Sequence, residues 1–451
     1  MTKNNLSSFE QLFNEWPTGQ SIKSTRQDRF DGNHGLFYAP LKYVTAPIPK
    51  PPTKTPAFSW IRGAFADFVR DEFSSTQDKY DHKKIEVAQR NADLYSISAS
   101  LRDQTEQQLV YGGTLEDIIS SIEGFDTVSR VFAIMCSDSF GNTANSHNVS
   151  LEQFRSYMTN MKVGCRIVLP GLPFRDQNLL RVDNNPSAVT LAESIFLIRL
   201  HCTALAIYQV LPTGADVVVL SDGTLYAPIL GVEESEAELY LDNVRRLRDH
   251  LNLRGTVSII ELKKLVEIYD GGTGDFQECC DDIFTTLIDF KKHPGADTEF
   301  MLQYNSLARG MRWNYNTRKF GSSLQDTAKW VQYGENCFDG KCSPLPDSNF
   351  IDEVSARYAA VNLALRWHNV ITAVLPTAMR GTMHPKPGQV ALPKLGSCFP
   401  WNGIAVTESG GGSKLLVEVH SLAEANRRDL DLVAHATNSG NIIFYQRRKG
   451  K

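Results

Sequence analysis

The chain has 451 residues, 42% of them hydrophobic and 22% charged, with a formal net charge of -4. That composition suits a globular protein of one large or two moderate domains with a sizeable core. A slightly acidic balance supplies no phosphate-neutralising surface, which argues against nucleic acid as a partner.

The opening stretch MTKNNLSSFEQLFNEW lacks the unbroken apolar run of a signal peptide. No apolar run reaches the roughly 18 residues that span a bilayer. The most apolar stretch, 195–211, is interrupted by Arg199, His201 and Gln209 and reads as a buried helix of a soluble protein. The expectation is a cytoplasmic protein with no membrane partner. Eight cysteines without a CxxC pair give no zinc-site spacing and read as reduced, structural residues. No metal is expected.

The first 56 residues form a polar extension that ends in TAPIPKPPTKTP, with five prolines. Proline removes amide donors and fixes φ, so this segment is expected to be an extended linker or strap. The folded domain is expected over 57–451, opening with the helically spaced apolar residues of 60–73.

Further along, RIVL (166–169) is a short β-branched run stopped by Pro170 and Gly171, a strand. A polar loop follows over 173–186. A helix is expected from about Ala188 to Tyr208, with Leu191, Ile195, Ile198, Cys202 and Leu205 on one apolar face, and Pro212 and Gly214 stopping it. DVVVL (216–220) is the next strand, ending in Ser221-Asp222-Gly223, which can be a simple Asp-Gly turn. A second helix starts near Glu233, acidic in its first turns and basic in its last, with Tyr240, Val244, Leu247 and Leu251 as its buried stripe. TVSIIEL (256–262) is a third strand.

Alternating strands and helices imply an α/β fold with a mostly parallel sheet flanked by helices. Strands that are apolar throughout fit a sheet covered on both faces. Ligands in such sheets bind beyond the carboxyl ends of the strands, which marks the loops 170–181 and 221–223. Toward the C-terminus, 403–407 and 414–419 are strand-like and joined by Gly410-Gly411-Gly412. These are expected to be antiparallel strands that extend the sheet or form a smaller β layer.

Several side chains near these loops suit binding or proton transfer. Asp222 follows a buried strand and can meet an ammonium group or a sugar hydroxyl. Arg175 and Arg181 flank the first loop, and arginine forks bind carboxylate or phosphate. In MRGTMHPK, an extended chain turns Arg380, Thr382 and His384 to one face, with Lys386 close by. Arginine beside histidine can hold an anion and move a proton. GGTG (271–274) follows a helix rather than a strand, and GGGSK (410–414) lacks phosphate-loop spacing, so neither reads as a nucleotide site.

Three stretches taken in order resemble one family: LPGLPFRDQNLLRV (169–182), PTGADVVVLSDGTLYAPILGVEES (212–235), and MRGTMHP (379–385) followed by FPWNGIAV (399–406). They are similar to the isocyanide (isonitrile) synthases of pyoverdine-type and dityrosine-type biosynthesis, over about 120–440. Departures from that pattern are Arg175 for a lysine, Ser187 and Thr190 for acids, Thr382 for a serine and Asn402 for a histidine.

The resemblance implies a Rossmann-like fold. It also implies a reaction in which the α-amine of an amino acid, tyrosine or tryptophan first, condenses with the ketone of ribulose 5-phosphate, which leaves one carbon on nitrogen. Ribulose 5-phosphate is then a co-substrate, and no metal or redox cofactor is implied. On the matching positions, Arg175 and Arg380 become anion anchors, Asp222 a contact to amine or sugar, and His384 an acid/base group. Arg181, Thr382, Lys386 and Asn402 are further substrate-binding candidates. A downstream oxygenase is the partner that analogy suggests. Two other readings stay open: an enzyme that N-formylates an amino acid on the way to a dityrosine-like product, and a catalytically weakened binding protein on the same fold.

Overall fold

Strand runs that are apolar on both faces need cover on both faces, and the computed structural model supplies it. It describes residues 86–89, 92–140 (without 123 and 138), 150–160, 165–175, 187–291 (without 231 and 233), 348–375, 378–382, 390–391, 400–408, 418–420 and 432–447 (without 440). The expected N-terminal extension and the segment 60–73 lie outside these residues.

The strands are β1 (Glu86–Gln89), β2 (Cys165–Pro170), β3 (Ala215–Ser221), β4 (Val257–Glu261), β5 (Met379–Thr382), β6 (Val390–Ala391), β7 (Ile404–Glu408), β8 (Glu418–His420), β9 (Leu432–Ala436) and β10 (Ile442–Arg447). The helices are α1 (Leu94–Glu106), α2 (Thr114–Ser120), α3 (Thr127–Cys136), α4 (Leu151–Asn160), α5 (Leu191–Val210), α6 (Gly223–Leu230), α7 (Glu234–His250), α8 (Leu262–Asp270), α9 (Asp275–Lys291), α10 (Ser348–Trp367) and α11 (Val370–Val374).

The central sheet has the order β4-β3-β2-β5-β6, with every neighbouring pair parallel. Side chains alternate across it. Ile167, Leu169, Val217, Val219 and Ile259 enter a core shared with α1, α3, α5 and α7. Val168, Val218, Leu220 and Ile260 enter a second core shared with α6, α8, α9, α10 and α11. The expected α/β sheet with both faces buried is therefore present.

Successive strands β2, β3 and β4 step one way, whereas β5 returns to the other side of β2. The order thus reverses between β2 and β5, and such a switch point opens a crevice at the carboxyl ends. The SDG segment is more than a turn: the chain passes directly from β3 into α6, a helix not anticipated from the sequence, whose Tyr226 and Ile229 are buried in the second core.

A second, mixed sheet has the order β1-β9-β10-β7-β8. β7 and β8 pair antiparallel, as expected for 403–419, while β10 and β7 pair parallel. The C-terminal strands form their own layer and do not extend the first sheet.

Helix α5 departs from the one-face expectation. Fifteen of its twenty residues are buried, from Leu191 to Ile207. Ala405, Ile443 and Phe444 of the second sheet join the same core as α5, so this helix is covered from both sides. It is long and apolar enough to cross a membrane by length and composition, yet 83% of its apolar window is buried inside the protein.

Phe196 of α5 meets Trp401, which precedes β7, edge-to-face with ring centroids 5.9 Å apart. Truncating either ring to alanine is expected to cost about 3–5 kcal/mol in urea unfolding. A double-mutant cycle should return a coupling of about 0.5–1.5 kcal/mol beyond area burial. Additive losses would show that the two rings do not interact.

Candidate functional site

The carboxyl end of β2 runs into Gly171-Leu172-Pro173-Phe174-Arg175, and close contacts fix this loop on three sides. A Cβ on Gly171 would lie 3.3 Å from the indole of Trp401, so glycine lets that ring close over the strand end. Ser221 Oγ donates to the Leu172 carbonyl at 2.8 Å. A Cβ on Gly223 would lie 1.5 Å from the Pro173 carbonyl oxygen, so only glycine admits this approach of α6 to the loop. Leu172 holds φ +54°, left-handed for a bulky residue, and is wholly buried. Such a conformation costs about 1–2 kcal/mol and is held by its surroundings.

Asp222 sits where β3 becomes α6. Its carbonyl accepts from the Leu225 and Tyr226 amides at 3.2 and 3.0 Å. An aspartate at a helix start ordinarily caps the first-turn amides with its side chain. Here Oδ1 is buried and, among the described residues, makes no hydrogen bond. The residue as a whole keeps part of its surface accessible. Burial of the carboxyl pushes it up to about 7, opposed by its own backbone amide. Thr224, in the first turn of α6, is 3% exposed, and its Oγ1 likewise has no hydrogen-bond partner among the described residues.

Two tyrosines act on the same region. Tyr226 of α6 stacks on Tyr358 of α10, with ring centroids 4.3 Å apart and planes at 28°. Burial, each other's proximity and the Asp222 charge drive the Tyr226 hydroxyl well above its ordinary range, with Arg380 acting in the opposite sense. Burial and then Asp222 raise Tyr358 in the same way. Both phenols therefore remain protonated donors at neutral pH. The shared influence puts Asp222, Tyr226, Tyr358 and Arg380 within electrostatic reach of one another's neighbourhood.

Arg380 lies in β5, level with Val168 of β2. Met379 enters the first core, so alternation turns Arg380 to the face of α6 and α10.

Arg175 has a different situation from that expected of an anion anchor. It is wholly buried, and its Nη1 reaches Glu193 Oε1 at 3.3 Å, the Ala188 carbonyl at 3.2 Å and Thr190 Oγ1 at 3.4 Å. Glu193 also accepts from the Tyr240 hydroxyl at 3.1 Å and closes a capping box on Thr190 at the start of α5. A buried ion pair of this kind ties the loop after β2 to α5 and α7.

Among the other candidates, Thr382 ends β5 in register with Ala391, and Asn402 closes the short 3-10 turn Pro400–Asn402 that carries Trp401. Arg181, His384 and Lys386 lie outside the described residues.

The structure thus brings together Asp222, Arg380 and the loop carrying Arg175, and adds Thr224, Tyr226, Tyr358 and Glu193. Tyr226 and Thr224 stood inside a recognised stretch, whereas Tyr358 comes from a helix with no motif of its own.

Residues 156–325 match the family described as "Pyoverdine/dityrosine biosynthesis protein". A search of curated proteins finds no significant match. The crystal structure of the PvcA protein from Pseudomonas aeruginosa aligns with a TM-score of 0.49 at 16% identity, covering 71% of this chain and 100% of that one. The family match, which spans β2 to α9 and beyond, bears out the resemblance carried by the first two motif stretches.

Two measurements test this geometry. Gly223→Ala is expected to lower unfolding stability by more than about 3 kcal/mol, because the new Cβ meets backbone rather than a movable side chain. Asp222 has a folded pKa above the unfolded value near 3.9. Its ionisation therefore destabilises the fold progressively as pH rises from about 4 to 7. Asp222→Asn removes that penalty, so its stability relative to wild type should grow by on the order of 2–4 kcal/mol between pH 5 and pH 8. A difference independent of pH would contradict a buried carboxyl.

Proposed function

From a pyoverdine/dityrosine-type biosynthetic segment set around a switch-point crevice, we propose that this protein is an isocyanide synthase. It converts the α-amino group of an amino acid, tyrosine or tryptophan first, to an isonitrile, with ribulose 5-phosphate as the one-carbon donor. The observation that supports the reading most is the Asp222 carboxyl. It is buried within electrostatic reach of two protonated phenols, one of which also feels Arg380, with an oxygen left unbonded at the carboxyl end of a parallel strand.

The chemistry asks for such groups. Joining an amine to a ketone expels water, which needs a proton donor, and the later eliminations need a base. A carboxyl near pKa 7 can give and take a proton at Oδ1 at neutral pH. The Tyr226 and Tyr358 hydroxyls offer hydrogen bonds to oxygen without ionising. Arg380 supplies the positive charge for a carboxylate or phosphate. Arg175 acts through structure, because its pairing with Glu193 holds the Gly171–Arg175 loop over the crevice. His384, Arg181, Lys386, Thr382 and Asn402 keep their proposed roles as acid/base group and substrate contacts. The reaction as proposed uses no metal or redox cofactor, and its product suits a downstream oxygenase.

The test is a product assay. Purified protein is incubated with ribulose 5-phosphate and the twenty amino acids, and mass spectrometry searches for a gain of one carbon with loss of two hydrogens at an amine. The expected product falls at least about a hundredfold in Asp222→Asn, the scale of a lost acid/base group. A formyl gain, with isonitrile hydrolysis controlled for, would replace this reading with amino-acid N-formylation. No product from folded protein would remove the synthase reading.

A further inference from the structure

At the amino end of β4, His201 of α5 joins two other elements. Its Nε2 lies 3.0 Å from Glu106 Oε1 at the end of α1, and its Nδ1 meets Thr256 Oγ1, just before β4. Thr256 Oγ1 also lies 3.1 Å from the Leu253 carbonyl. That carbonyl already accepts the Thr256 and Val257 amides at 3.0 and 2.8 Å. His201 is buried, so these bonds are made inside the protein.

Counting hydrogens gives the cluster two complete arrangements. A carboxylate only accepts, so Nε2 carries a hydrogen toward Glu106 in both. With a neutral ring, Nδ1 accepts the Thr256 hydroxyl hydrogen, and the Leu253 carbonyl keeps its two amides. With one proton more, Nδ1 donates to Thr256 Oγ1, and the hydroxyl turns its hydrogen to Leu253. The same heavy-atom positions serve both states. The difference between them is a charge on a buried ring.

The surroundings decide which state the fold favours. From α1, Arg102 places Nε 3.6 Å from Glu106 Oε1 and donates through Nη1 to the Leu251 carbonyl at 2.8 Å. On α5 itself, Arg199 turns to the Ser139 carbonyl, and burial followed by Glu106 pushes the Cys202 thiol up to about 12, so it stays neutral. From α7, Arg248 pairs with Asp249 at 2.8 Å, and exposed His250 lies against Tyr95 of α1 with ring centroids 4.7 Å apart. α3 and the mixed sheet give α5 apolar side chains, among them Val131, Ile134, Ala405 and Ile443. Burial lowers the His201 pKa, with Glu106 pulling the other way and Arg102 adding to the effect of burial.

α1 has the bounds of a unit that can part from the core. Asp93 caps its start on the Tyr95 amide, and its end runs into the π-helical turn Gln107–Tyr111. Such turns are rare and often mark functional positions. Gly112 and Gly113 follow, the second at φ +98°. Inward, Leu94, Ser98 and Leu101 are buried, and Ser98 Oγ meets Ser194 Oγ of α5 at 2.6 Å. The Glu106 end is held by the His201 and Arg102 bonds.

We propose that Glu106, His201 and Thr256 form a pH-operated latch, closed on α1 while the ring is neutral and released when the ring takes a second proton. Once α1 lifts, His201 meets water and returns toward its ordinary pKa near 6.5. The open form therefore binds more protons than the latched form. Latching is fully present above that value and is lost as pH falls below it.

The experiment is hydrogen exchange of the full chain, read by mass spectrometry from about pH 8 to about pH 5 and corrected for intrinsic exchange rates. In wild type, peptides of α1 are expected to lose protection at least about threefold more than those of α9 over this range. His201→Gln keeps a neutral donor for Glu106 and cannot titrate, so that excess loss should vanish. His250 is unchanged in this variant, which separates the two histidines. Glu106→Gln removes the charge that eases protonation of the ring, so it should enlarge the loss by the acid end.

Unchanged or rising α1 protection in wild type toward about pH 5 would overturn the proposal. So would the same excess loss in His201→Gln, or a loss spread evenly over the whole chain. If His201→Gln does not fold, Glu106→Gln decides: a smaller or equal loss there would reject the latch.

Discussion

Helix α5 is the constraint around which the rest is arranged. It lies between the parallel sheet and core residues of the mixed sheet, so it must be apolar on every side. Its few polar side chains are then obliged to find partners inside the protein. Glu193 takes Arg175, Tyr240 and the Thr190 cap. Arg199 donates to the Ser139 carbonyl, and His201 joins Glu106 to Thr256. Burial lowers the His201 pKa, against the pull of Glu106. Each of these pairs reaches a different neighbour: the loop after β2 and helix α7, the loop after α3, and α1 with the start of β4. A helix with the hydropathy of a membrane span is thereby made the hub of a layered α/β core.

The site inherits its geometry from this hub. Arg175 anchors the loop after β2 to α5, and Trp401, packed on Phe196 of the same helix, closes over Gly171. On the other side Gly223 admits the Pro173 carbonyl, and Ser221 holds the Leu172 carbonyl. The left-handed Leu172 is held between these contacts. Glycine and serine in the motif stretches therefore serve approach distances around the strand ends that carry Asp222 and Arg380. This is why the stretches read as a set: each supplies the surface against which another is seated.

Much of this was legible in the chain, for a physical reason. Strands such as DVVVL and the amphipathic helix ending in Arg248 and His250 carry local signals, and both formed where expected. α6 was hidden because Asp-Gly is also a turn signal, and the difference is decided by Tyr226 and Ile229 finding the second core. The all-round burial of α5 depends on the second sheet, more than two hundred residues away in sequence, and no local period records it. Arg175 illustrates the same limit for function. Its loop position suits an anion anchor, but Glu193, eighteen residues on, claims part of its guanidinium in the fold. Tyr358 carried no local signal at all, because its meaning arises only when α10 stacks it on Tyr226.

The placement of Asp222 shows which demand prevailed at this end of the sheet. A capping bond to the α6 amides would add about 1 kcal/mol of stability and lower the carboxyl pKa. Pairing with Arg380 would lower it further. Instead, burial among two phenols raises it to about 7, and the oxygen stays unbonded. An arrangement chosen for stability alone would have asparagine or serine here, since either caps a helix without the cost of a buried charge. The fold instead carries a carboxyl that is costly to bury, with no hydrogen bond to Oδ1 among the described residues. The same reasoning applies to Thr224, for which valine would fill the space at no polar cost. Asp222 and Thr224 are thus two departures from the most stable choice within one turn of α6.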